Sequence, residues 1–142
     1  MKRALQILLG WPSTLILAFL VTVLNFAPGP LGRFEGRLFP VVRDVQLKVV
    51  GPVNAAYTRI SGTFEKARDC EFQKIEFRLG KPGASVLLDL EFEEGSKVRP
   101  EGVHQWGPWV LHATPAQIEN NVFALVYHDC HGLFPTITRF YP

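Results

Sequence analysis

Charge is missing from the first part of this 142-residue chain: no side chain from Ala4 to Gly32 is charged. Cysteine is scarce, with only Cys70 and Cys130, and Met1 is the single methionine. The scarcity removes the paired C-x2-C ligands of most structural zinc sites and the weak axial methionine of a blue-copper centre. A surplus of one charge sign is also missing. Apart from Lys2 and Arg3, the 15 Lys and Arg residues balance the 13 Asp and Glu. With the two signs balanced and interspersed, the chain has no electrostatic footprint for nucleic acid. No nucleophile elbow, H-E-x-x-H, phosphate-binding loop or dinucleotide fingerprint occurs, so the expectation is a protein that is not an enzyme and has no cofactor.

What is present begins with an apolar stretch, Leu5 to Phe26, broken only by Gln6, Ser13, Thr14, Thr22 and Asn25 as polar residues. As a helix it is long enough for a hydrocarbon layer of about 30 Å. Pro12 either kinks it or marks where the firm helix starts, and Trp11 suits an interfacial depth. A cleaved signal peptide is the alternative. However, Ala27 has no small residue three positions before it, Pro28 follows at once, and the stretch is long for such a leader. The reading is therefore an uncleaved signal anchor over 4–27, with residues 1–3 cytoplasmic, a spacer over 28–40 and a folded domain over 41–142. Lys2 and Arg3 favour a cytoplasmic N-terminus, a signal weakened by Arg33 and Arg37.

Beyond Val41 the apolar period becomes two. Val45, Leu47 and Val49 alternate, and Gly62 marks a bulge or kink in the next strand. Cys70 and Phe72 fall on one phase and Ile75, Phe77 and Leu79 on the other, which predicts a bulge near Gln73 and Lys74. The stretch from Ser85 to Glu94 reads as one strand with Val86, Leu88, Leu90 and Phe92 inward. Glu91 and Glu93 then lie on a solvated face. Gly107-Pro108 breaks the next segment into two extended pieces. Thr114, Pro115 and Gln117 form a capping box that predicts one turn of helix. Two strands, from Val122 to Cys130 and from Thr136 to Tyr141, close the chain. Seven or eight short strands predict an all-β fold, an immunoglobulin-like antiparallel β-sandwich, with a small β-barrel as the alternative.

Two single cysteines on separate strands suggest the inter-sheet disulfide of immunoglobulin-like domains, with Trp109 packed on it. Such a bond implies an oxidising compartment. The rival is a copper or zinc site built from His128, Cys130 and His131, with His104 or His112 in support. In an extended strand His128 and Cys130 share a face and His131 opposes them, so only a turn at Cys130 would bring His131 round. For binding, His104, Trp106 and Trp109 flank Gly-Pro in a stiff loop, and Phe140 and Tyr141 offer a second patch if their strand is an edge. The competing reading places Trp109 in the core and Trp106 over an edge.

The segments "SGTFEKARDCEF", "WGPW" and "HDCHGLFPTITRFYP" resemble those of short uncharacterised membrane-anchored proteins of proteobacteria and their phages. The resemblance covers about the last 80 residues and brings no activity with it. It implies a bacterial inner-membrane or phage context and little more; the residues themselves lead to the expectation of a single-pass inner-membrane protein with a periplasmic sandwich. The expected partners are the bilayer, through residues 4–27, and a protein of a membrane or virion complex.

Overall fold

The computed structural model describes residues 13–22, 28–92 and 99–142. Helix α1 (13–22) precedes α2 (Pro28–Leu38), and eight strands follow. They are β1 (Val42–Pro52), β2 (Thr58–Lys66), β3 (Glu71–Lys81), β4 (Ala84–Leu88), β5 (Leu90–Phe92), β6 (Gly102–Leu111), β7 (Val122–Asp129) and β8 (Thr136–Tyr141). Helix α3 (Pro115–Asn121) joins β6 to β7. Two four-stranded sheets result, sheet I in the order β1-β2-β6-β5 and sheet II in the order β4-β3-β7-β8, with every pairing antiparallel. The architecture is a β-sandwich. Its core includes Ile60, Phe77, Trp106, Leu111, Ile118 and Phe140.

Both expected bulges are present. The β2–β6 register slips between Ile60 and Gly62, where Gly107 and Pro108 together oppose Ser61. A bulge is the place where a central strand tolerates proline, so β6 runs unbroken through Gly-Pro rather than as two pieces. Gly62 is required there, since a Cβ would strike the Gln46 carbonyl oxygen and the Trp106 ring. The β3–β7 register slips between Phe72 and Lys74, at the predicted point. Thr114 caps α3 with the full reciprocal box, Thr114 Oγ1 accepting from the Gln117 amide. The helix runs for seven residues rather than one turn, because Ile118 is buried in the core.

Three expectations need correction. The segment from Ser85 to Glu94 is not one strand. It leaves sheet II after Leu88 and joins sheet I at Leu90, and Glu93 lies outside the described residues. Leu88 and Leu90 pack on the core at the crossing, whereas Val86 is 70% exposed and Phe92 is also exposed. The Cys70–Cys130 bridge does not tie the sheets together. It extends the ladder of β3 and β7, which are neighbours within sheet II, one pair beyond Glu71 and Asp129. Its Cα–Cα distance of 4.6 Å matches a non-hydrogen-bonded antiparallel pair. This departs from the immunoglobulin arrangement, and Trp109 packs on Trp106 and Phe92 instead.

The third correction concerns residues 28–40, which are mostly helix rather than spacer. Pro28 and Pro30 sit in the first turn of α2, where amide hydrogens have no helical partner to lose. Of the expected span over 4–27, residues 4–12 and 23–27 lie outside the described residues. No helix among the described residues is long and apolar enough to cross a membrane, so the fold does not support the expected transmembrane helix. The part described, α1, is exposed at all ten positions, including Leu15, Ile16, Leu17 and Phe19.

Candidate functional site

The site is built on the outer face of sheet II. Phe77 and Ala124 pair on the inner face, so their neighbours along β3 and β7 point outward. Cross-strand rows follow from the register. Lys74, Tyr127 and Ile137 form one, Glu76, Leu125 and Arg139 a second, and Arg78 and Phe123 a third. Phe123 and Ile137 are buried even on this outer face. Something covers them, and α2 supplies part of the cover.

Gly32 and Gly36 form the face of α2 that meets β8. A Cβ at Gly32 would strike the Pro135 carbonyl oxygen, and one at Gly36 the Ile137 carbonyl oxygen. Only glycine lets the helix backbone approach the strand so closely. A carboxylate then locks the helix in place. Glu35 Oε1 accepts from both Arg68 guanidinium nitrogens at 3.1 Å, and Oε2 accepts from Thr136 Oγ1 at 2.7 Å and from His131 Nε2 at 3.0 Å. The Leu133 amide donates to His131 Nδ1, which leaves the proton on Nε2. Arg68 also donates to the Phe39 carbonyl oxygen, closing the end of the helix. Burial alone would raise the Glu35 pKa, but hydrogen bonds from Thr136, His131 and Arg68 outweigh it and hold the carboxyl below its usual range.

Between α2 and this face lies a cleft of about 840 Å³. Arg33 and Arg37 line it from the helix, Arg78 and Arg139 from the sheet, and no carboxylate is among its walls. Its floor is Phe123, Leu125, Tyr127 and Ile137. Arg78 is engaged, donating to Glu76 at 3.0 Å and to Ser85 Oγ at 3.0 Å. Lys74 also donates to Glu76 at 2.7 Å and lies 4.5 Å from the centre of the Tyr127 ring. Burial pushes the Glu76 pKa up, and the two cations and the Tyr127 hydroxyl more than reverse that. Among the described residues, Arg33, Arg37 and Arg139 have no carboxylate partner.

The residues singled out from the sequence lie elsewhere. Trp106, 2% exposed, and Phe140, 4% exposed, are core residues whose rings lie 5.4 Å apart, so neither is a surface contact. Trp109 is half-buried beside Trp106, and the Tyr141 hydroxyl donates to the Ile118 carbonyl oxygen. The His104 ring nitrogen bonds the Pro100 carbonyl oxygen, and His112 stacks on Tyr57 at 4.4 Å. The expected binding loop around Trp106 is thus the middle of a central strand. It was misread because Gly-Pro suggested a break that the bulge absorbs.

The metal alternative does not assemble either. Cys130 is bonded to Cys70, and His128 faces inward beside Phe72. The turn that would bring His131 round does exist, since Asp129 Oδ1 accepts from the His131 and Gly132 amides, but it delivers His131 to Glu35. Among the described residues no group of three or more His, Cys, Asp or Glu is placed to hold a metal ion. His128 is 3% exposed and its Nδ1 has no hydrogen-bond partner. Desolvation, then the charges of Lys66 and Arg68, lower its pKa to about 4, so it is neutral at pH 7.

The cleft was not anticipated from the sequence. Its signal was there in G-R-x-x-G-R, Gly32 to Arg37, where two glycines four apart are each followed by an arginine. That pattern sets a smooth stripe beside a basic one on a helix. Compared with known proteins, the chain matches no family model, no curated protein and no solved structure.

Proposed function

We propose that the chain is a non-enzymatic, membrane-anchored interaction module, an accessory subunit of a membrane or virion assembly in the bacterial inner membrane. Its sandwich stands on the periplasmic side. One observation carries the reading. Helix α1 is exposed at every position and its residues from Leu15 to Val21, about two turns, are all apolar, within a stretch from Ala4 to Gly32 that has no charge. A helix apolar all round is stable where lipid or protein surrounds it, not water. The Cys70–Cys130 bond supports the extracytoplasmic side, because such bonds persist in oxidising compartments. The absence of catalytic motifs, and the engagement of His131 with Glu35 and of Cys130 with Cys70, favour a binding role over chemistry.

Alkaline carbonate extraction of membranes containing the intact protein tests the anchor. Thiol alkylation with and without reductant on the same sample tests the compartment. The expected result is retention in the membrane pellet, with both thiols unreactive until reduced. Release into the supernatant with two free thiols would end the reading. A chemical cross-link to a stoichiometric companion in native membranes would support the assembly role.

A further inference from the structure

We propose that the cleft between α2 and sheet II holds the headgroup of an anionic phospholipid, its phosphate bound by Arg33, Arg37 and Arg139. The proposal rests on the membrane-anchored reading above and names the ligand of its membrane-facing side. Three observations meet at this place.

The first is charge without compensation. Four arginines and no carboxylate line the cleft, and three of the arginines have no carboxylate partner among the described residues. Glu76, nearby on the sheet, is already satisfied by Lys74 and Arg78. Planar guanidinium groups match phosphate oxygens in pairs, and several together favour a ligand with a fixed negative charge.

The second is an apolar floor. Phe123, Leu125 and Ile137 underlie the arginines. Inorganic phosphate has no use for such a surface, whereas the glycerol and upper acyl carbons of a lipid do. The volume of about 840 Å³ is of the size that small ligands fill.

The third is position. Helix α2 starts at Pro28, inside the uncharged stretch and six residues after the end of described α1. Leu31, Phe34 and Leu38 are exposed, with Phe34 at 64%. Spaced by three and four, they form one stripe. Gly32 and Gly36 hold the opposite side against β8. The arginines at 33 and 37 flank the apolar stripe, the arrangement of a helix lying in a lipid interface with its cations at phosphate depth. An acidic protein segment would also meet the charge. It would not account for the exposed apolar stripe of α2, whose first member, Leu31, lies within the uncharged stretch.

The test uses the full-length protein in a nonionic detergent. It is titrated with dioctanoyl phosphatidylglycerol, dioctanoyl phosphatidylcholine, inorganic phosphate and a glutamate-rich peptide, with native mass spectrometry reporting stoichiometry. One phosphatidylglycerol should bind per chain, about tenfold or more tighter than phosphatidylcholine or phosphate, because net charge and apolar surface are both recognised. The Arg37→Gln/Arg139→Gln variant changes two exposed side chains. It should lose about tenfold in phosphatidylglycerol affinity with an unchanged circular dichroism spectrum and melting temperature, and Arg→Lys at the same positions should recover part of it.

Equal affinity for phosphatidylcholine, equal affinity for phosphate, tighter arginine-dependent binding of the acidic peptide, or an unaffected glutamine variant would each overturn the lipid site. Carbonate extraction separates this failure from failure of the anchor. If the protein stays in the membrane but shows no arginine-dependent lipid binding, only the cleft assignment is overturned. If carbonate releases the wild type, the membrane source of the lipid is lost along with the anchor.

Discussion

The outer faces of the two sheets differ in kind. Sheet I presents Gln46, Thr63 and Gln105 in one cross-strand row and Lys48 beside Ser61 in the next, with apolar partners Leu47 and Trp106 turned inward. It is close to a one-sided sheet, apolar within and mostly polar without, with Val103 and Val110 as the apolar exceptions on the outer phase of β6. Sheet II carries Phe123, Leu125, Tyr127 and Ile137 on its outer face, under α2 and beside arginines. β7 is therefore apolar on both faces for most of its length, and it reads as the run "VFALVY" rather than as an alternation. A strand with no polar phase has no face to give to water. The second apolar face is where a helix, a lipid or a partner belongs.

Four changes would break or sharpen this contrast. The largest effect is expected from Cys70→Ser with Cys130→Ser. In the chain-entropy model, opening a 60-residue loop costs about 4 kcal/mol, read as a fall in the unfolding free energy extrapolated to zero urea, with a steeper slope because the unlinked unfolded chain exposes more surface. A loss below about 1 kcal/mol would show that the β3–β7 ladder needs no staple.

Next comes pH, through His128 on the inner face of sheet II. Its folded pKa of about 4 lies below the ordinary 6.5, so its contribution is whole above pH 6.5. It is lost as pH falls from 6.5 toward 4, where the unfolded chain takes up a proton that the fold refuses. The full swing is about 3 kcal/mol. His128→Phe should flatten that part of the stability profile, and an unchanged profile would assign the acid sensitivity to another group.

Gly36→Ala should cost about 1–3 kcal/mol by forcing α2 off the Ile137 carbonyl. It should also open the cleft, seen as faster amide exchange in β8 than in β1. Equal exchange in the two strands would mean that the glycine face does not seat the helix. The smallest effect belongs to sheet I. Gln105→Ala on its outer face should change stability by no more than about 0.5 kcal/mol. A larger loss would mean that this face is covered too.

Legibility tracked the range of the forces involved. The bulge at Gly62, the slip after Phe72 and the cap at Thr114 were all readable, because each is set by residues adjacent in sequence. The strand exchange at Asp89 was not, since alternation continues across it while the hydrogen-bonding partner changes from β3 to β6. Trp106 was misplaced because a Gly-Pro pair signals a turn locally, and only the unequal count of residues facing Ser61 turns it into a bulge. Helix α2 was missed because two prolines and three glycines in eleven residues argue against helix by propensity. Here the prolines occupy the first turn and two of the glycines are interfaces.

By itself the sequence determined the uncharged N-terminal stretch, the β-rich domain, the pairing of its only two cysteines and the inward phase of most strands. Each of these follows from local composition or a period of two, which backbone geometry converts directly into structure. Which sheet each strand joins, that the disulfide lies along one sheet rather than across two, and that Arg33, Arg37, Arg78 and Arg139 surround one cleft were decided only by the tertiary structure. Those arginines are up to 106 positions apart along the chain. Nothing in local propensity brings them together; strand pairing aligns Arg78 and Arg139, and the seating of Gly32 and Gly36 on the Pro135 and Ile137 carbonyl oxygens brings Arg33 and Arg37 to them.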